Sequence, residues 1–153
     1  MPIISKIDLY ELGEQHSLSI REVIHFDSFA EIASRAFAQI NDYAARQGLL
    51  FSGCPFVCYH NTDLSALDVE IGYPLATDIA GENEIQSVTI PPRRAVQGIF
   101  QGPYEESDPL MFEIIKWIST HGLTQQGPIY HYYLNNSEQK PSDLLTRIVI
   151  PVH

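Results

Sequence analysis

The sequence predicts an α+β fold built from two similar strand–helix–strand–strand units. Three observations carry this prediction. Two amphipathic helices each run into a Gly-Leu pair, Gly48-Leu49 and Gly122-Leu123. Each is followed by a proline and an aromatic-rich strand, and each half closes on a strand ending in proline plus an aliphatic residue, Pro74-Leu75 and Pro151-Val152. Two such units give antiparallel sheet with both long helices packed on one side.

The first helix is predicted from Ser28 to Gly48, where Phe29, Ile32, Ala33, Ala36, Phe37, Ile40 and Tyr43 recur at the spacing of one helical face. Ser28 with Glu31 has the form of a capping box, and Gly48-Leu49 suits a left-handed cap with an apolar clasp. The second helix is predicted from Asp108 to Gly122, with Asp108 as N-cap, Pro109 at the first position and Met111, Ile114, Ile115 and Ile118 as its stripe. Strands are expected before each helix, Ser19 to Ile24 and Ala95 to Gln101. Others are expected after each, Pro55 to Tyr59 and Pro128 to Leu134, which run up to turns at Asn61 and Asn135.

The closing strands, Asp68 to Leu75 and Leu145 to Val152, align position by position. Val69, Ile71 and Tyr73 share one face, matched by Thr146, Ile148 and Ile150, and that face belongs under the helices. The opposite face carries Asp68, Glu70 and Gly72, with Arg147 and Val149 as counterparts. Lys6 to Leu12 and Ile85 to Ile90 are further strand candidates. The chain is read as one domain, 1–153, with halves at about 1–75 and about 95–153 and a linker at about 76–94.

Composition narrows the function classes. Nineteen acidic residues against nine basic ones give a formal charge of −10, and Arg93-Arg94 is the sole adjacent basic pair, so a phosphate-binding groove and a nucleic-acid partner are not expected. Hydrophobic residues at 44% and charged residues at 18% describe an ordinary globular chain. No apolar run is long enough for a membrane span, and Lys6, Asp8 and Glu11 interrupt any signal-like core near the N-terminus, so a cytoplasmic location without a membrane partner is expected. Cys54 and Cys58 have no second Cys pair and the six histidines show no HExxH spacing, so neither a metal site nor another cofactor is expected.

One set of motifs is more specific. Ile90-Pro91-Pro92 leads into Gly98-Ile99-Phe100-Gln101-Gly102-Pro103-Tyr104-Glu105-Glu106, and a helix with Trp117-Ile118 follows. Tyr133-Leu134-Asn135-Asn136, the ending Ile148-Val149-Ile150-Pro151-Val152, and Asp68-Val69-Glu70 before Gly72-Tyr73-Pro74-Leu75 complete it. In this combination the chain resembles, over nearly its whole length, the GyrI-like small-molecule-binding domains, which also serve as effector-binding domains of multidrug-sensing AraC-type and MerR-type regulators. The resemblance implies a groove between the halves for flat, apolar, often cationic compounds, with aromatic walls and a carboxylate to balance charge. Phe56, Cys58, Glu70, Tyr104, Trp117, His131 and Tyr133 are the candidate ligand-binding residues. Many relatives carry a glutamate where this chain has His131, which leaves Glu70 as the candidate carboxylate. A solvated Glu70 paired with Arg147 is the alternative. An imidazole with an ordinary pKa near ~6.5 would make affinity for a permanent cation fall as the pH drops from about 8 to 5.5.

The function expected from this reading is a stand-alone binding domain for a small aromatic or amphipathic, including cationic, molecule, used in sensing or sequestration. No helix-turn-helix has room before the matched region. A hydrolase acting on reactive small molecules in the same groove is the main alternative, with Glu70, His131 and a tyrosine as its acid–base supply. A protein-directed, gyrase-type inhibitor ranks last because the acidic charges are scattered. A homodimer is left open.

Overall fold

Residues 2–153 are described by a computed structural model. In chain order the elements are β1 (Asp8–Leu12), β2 (Gln15–Ile24), α1 (Phe29–Gln47), β3 (Phe56–Tyr59), β4 (Leu67–Leu75), β5 (Gln86–Ile90), β6 (Arg93–Gln101), α2 (Asp108–Thr120), β7 (Ile129–Tyr133) and β8 (Leu145–Val152). They sort into two units. One is contiguous, Glu14–Pro91; the other joins the stretch ending at Gly13 to Pro92–His153.

In the contiguous unit β2 pairs with β5 on one side and β4 on the other, and β4 pairs with β3, all antiparallel. Helix α1 covers the face that carries Val69, Ile71 and Tyr73: the Tyr73 ring meets Phe37 edge-on at 5.5 Å, and its hydroxyl accepts a 2.8 Å hydrogen bond from Asn41 Nδ2. The helix buries Ala33, Ala36, Ile40, Tyr43 and Ala44 against that face. Small residues at 33, 36 and 44 let its backbone lie close to the sheet.

The discontinuous unit has the same order. β6 pairs with β1 and β8, and β8 pairs with β7. Under α2 lie Val96, Phe100, Ile148, Ile150 and Val152, packed against Leu110, Ile114 and Ile118. Removing one of these fully buried aliphatic side chains down to Ala costs about 2–5 kcal/mol. The helical stripe therefore runs through Leu110, Ile114 and Ile118, whereas the expected Ile115 is 41% exposed and Met111 only flanks the cluster.

The repeat extends to single hydrogen bonds. Gly48 (φ 66°) and Gly122 (φ 69°) end the helices in the left-handed conformation. Their following amides, Leu49 N and Leu123 N, reach back to Ala44 O and Ile118 O at 2.9 and 3.0 Å. Ser52 N donates to Pro74 O at 3.0 Å and Gln126 N to Pro151 O at 2.8 Å. Asn61 clamps its loop by accepting from Asp68 N and donating to Ala66 O, and Asn135 does the same with Leu145 N and Asp143 O.

The helix starts differ from expectation. Ser28 precedes α1 but makes no side-chain cap bond, so the Ser28–Glu31 capping box does not form; a short 3-10 turn, Phe26–Ser28, leads in instead. Asp108 lies inside α2, and Ser107 occupies the cap position with its hydroxyl donating to Tyr104 O at 2.9 Å. The half boundaries shift as well. β1, expected in the first half, pairs with β6, and β5 lies within the expected linker and pairs with β2.

Candidate functional site

Each unit gathers its own group of expected site residues. In the discontinuous unit, His131 stands opposite Ile148 and Tyr133 opposite Thr146. Directly opposed residues of an antiparallel pair share a face, so both side chains lie on the α2 side of the sheet, where Ile148 belongs to the core. Tyr104, on the 3-10 turn Tyr104–Glu106 that leads into α2, brings its ring to 4.8 Å from that of Tyr133, tilted by 55°. All three residues are of intermediate exposure. Burial pushes the Tyr104 phenol up and the His131 imidazole down to about 4. At neutral pH this corner presents the neutral Tyr104 phenol and a neutral imidazole.

The alternate residues of β7 face the other way and are already engaged. Tyr130 lies under the Arg93 guanidinium at 5.6 Å and Tyr132 under that of Arg147 at 4.8 Å. These two rings spend their cation-binding faces on the protein's own arginines. Trp117 is engaged elsewhere, packing against the α2 core and stacking on His121 with ring centroids 3.6 Å apart.

In the contiguous unit Phe56, Cys58 and Glu70 share the face of the sheet that α1 does not cover. Cys58 is in register with Glu70 and Phe56 with Gly72. The ring of Phe56 lies over Gly72, where a Cβ would come within 3.0 Å of its edge and 2.6 Å of Leu18 O. Glu70, 8% exposed, does not project freely into solvent: its Oε2 accepts a 2.6 Å bond from the Ser19 hydroxyl and its Oε1 is 2.8 Å from His60 Nε2. Cys58 Sγ is 3.5 Å from the same nitrogen.

Beside this group Arg21 donates from Nε and Nη2 to the two oxygens of Asp68 at 2.9 and 2.8 Å. That bidentate hydrogen bond holds the Asp68 carboxyl below its ordinary value and raises the Arg21 guanidinium. Sequence reasoning passed over His60 and Ser19. The signal for His60 was its two-residue offset from Cys58, which puts both on one side of an extended chain; Ser19 had none, because only the β2–β4 register brings it to Glu70.

Residues 6–153 match the GyrI-like small molecule binding domain family. No curated protein matches the sequence. Among solved structures, the C-terminal domain of EcmrR superposes with a TM-score of 0.85 at 21% identity, covering 99% of both chains. Against EcmrR in its DNA complex, at 22% identity and a TM-score of 0.84, the match covers 97% of this chain but 57% of that one, so the chain spans little more than half of EcmrR. SAV2435 bound to tetraphenylphosphonium is similar at 15% identity, a TM-score of 0.70 and coverages of 97% and 94%. A hydrolase from Listeria innocua is similar at 16% identity, a TM-score of 0.67 and coverages of 97% and 92%. Likeness at these identities establishes the shared fold. Among the described residues no helix is long and apolar enough to cross a membrane.

Proposed function

Since the chain belongs to the GyrI-like small molecule binding domain family, we propose that it binds a small aromatic or amphipathic compound, cationic ones included, and serves in sensing or sequestration. The observation that carries this reading is the corner made by Tyr104, Tyr133 and His131: two rings in tilted contact, their centroids 4.8 Å apart, on the same side of the sheet as an imidazole that burial keeps uncharged. A flat apolar ligand gains from stacking there. A delocalised cation gains in addition from the ring faces, by about 0.5–2 kcal/mol per contact, and a neutral imidazole does not repel it. The charge of −10 raises the local concentration of cations around the chain. Tetraphenylphosphonium, the ligand of the similar SAV2435, is a suitable first probe.

Titration calorimetry with tetraphenylphosphonium and with a neutral aromatic of similar size tests the proposal. Tyr133→Ala and Tyr104→Ala should each weaken the cation by roughly 2- to 30-fold, and His131→Glu should tighten it by supplying a counter-charge. The ligand should be recovered unchanged. Equal affinities of the parent and both tyrosine variants, or steady conversion of ligand to product, would count against a binding function at this corner.

A further inference from the structure

Cys58, His60 and Glu70 converge in a way the small-molecule reading does not use. Their ligand atoms all lie within 4.8 Å of one another. A cysteine, a histidine and a carboxylate also make up a nucleophilic triad, but there the imidazole uses one nitrogen for the nucleophile and the other for the carboxylate. Here Nε2 of His60 faces both Cys58 Sγ, at 3.5 Å, and Glu70 Oε1, at 2.8 Å. One nitrogen cannot relay a proton between two partners on its own side. Three donor atoms of different type gathered within 4.8 Å of one another instead suit a cation.

Distances discriminate further. Tetrahedral bonds of about 2.3 Å to sulfur and about 2.0–2.1 Å to nitrogen or oxygen place sulfur and nitrogen about 3.5 Å apart, and nitrogen and oxygen about 3.3 Å apart. The observed Sγ···Nε2 separation is 3.5 Å, and the Nε2···Oε1 separation of 2.8 Å must lengthen by about 0.5 Å as an ion replaces that hydrogen bond. Ser19 Oγ, donating to Glu70 Oε2 at 2.6 Å, supplies the outer support that ligating carboxylates require. Arg21 does not compete, because its charge is met by Asp68 in a bidentate pair. Cys58 thiolate and Glu70 carboxylate then neutralise a divalent ion. Cys58 is fully buried while the His60 side chain is 20% exposed, so the group reaches solvent through His60.

We propose that Cys58, His60 and Glu70 form a mononuclear zinc site with a fourth position open to water. The thiolate and imidazole select a borderline transition metal over magnesium or calcium. The spacing rules that argued against a metal look for ligand pairs close in sequence, whereas this set is assembled by the β3–β4 pairing. The inference stands apart from the Tyr104–Tyr133 corner.

Cobalt(II) added to the full, metal-stripped chain, followed by zinc competition, tests it. The expected result is uptake of one equivalent, with the near-ultraviolet charge-transfer absorption of a thiolate–cobalt bond and strong visible bands of four-coordination. Zinc should abolish both signals and raise the melting temperature. His60→Gln and Cys58→Ser should lose the cobalt spectrum while keeping the metal-free far-ultraviolet circular dichroism; His16→Gln should retain it. If Cys58→Ser fails to fold, His60→Gln, at a partly exposed position, decides. A folded parent without the charge-transfer band, or a band that persists in His60→Gln, overturns the proposal.

Discussion

Acidification should destabilise the folded chain through His131, and His131→Gln should remove that part of the pH dependence. In the unfolded chain an imidazole titrates near ~6.5, whereas burial holds that of His131 at about 4 in the folded protein. A group with a depressed folded pKa contributes its full stability above the unfolded value and loses it as the pH falls toward the folded one. Below about pH 6.5 the unfolded chain takes up a proton that the folded chain refuses, at about 1.4 kcal/mol per pH unit, for a total on the order of 3 kcal/mol by pH 4. Asp68 works at lower pH, because its hydrogen bond to Arg21 lowers a carboxyl that is ordinarily ionised throughout this window. Urea unfolding of the parent and His131→Gln at about pH 7.5, 6 and 5 isolates the effect: the parent should lose on the order of 2 kcal/mol relative to the variant between the extremes. A constant difference between the two proteins would refute the buried, neutral imidazole. For ligand affinity, the depressed value removes the fall expected from sequence between about pH 8 and 5.5, since His131 stays uncharged over most of that range.

Gly72→Ala should lower the melting temperature, because the new Cβ meets Leu18 O at 2.6 Å and the Phe56 ring at 3.0 Å; overpacking of this kind costs about 1–3 kcal/mol, and an unchanged melt would show that the β2 backbone at Leu18 yields without cost. Asn61→Ala and Asn135→Ala each delete one acceptor and one donor that clamp equivalent loops, so each should cost about 1–3 kcal/mol in chemical denaturation, and sharply unequal losses would argue that the repeat is one of geometry without shared energetics.

The repeated elements were legible because each is marked by residues whose backbone chemistry is nearly unique. Gly48 and Gly122 both take the left-handed cap that the Gly-Leu pairs announced, and the Val69/Ile71/Tyr73 face meets α1 as alternation required. The helix starts were less legible because Ser107 and Asp108 are both good caps, and the choice was made by the 3-10 turn before them. On β7, Ile129, Tyr130 and Tyr132 are all buried, so no polar alternation distinguishes its faces. Only its register with β8 sets His131 with Tyr133 on the α2 side and Tyr130 and Tyr132 on the other. The Ser19–Glu70–His60 bonds depend on cross-strand neighbours and lay beyond any local pattern.

The unequal origin of the edge strands has a consequence for the order in which the chain acquires structure during synthesis. All strands of the Glu14–Pro91 unit are present once Pro91 has left the ribosome, so this unit can close on itself while the rest is still being made. β1 precedes β2 in the chain, yet its partner is β6, which begins at Arg93. Until then its residues emerge without the strand they pair with. Among the described strands β1 therefore waits longest for the neighbour it pairs with, and is the one a nascent-chain chaperone has most reason to hold.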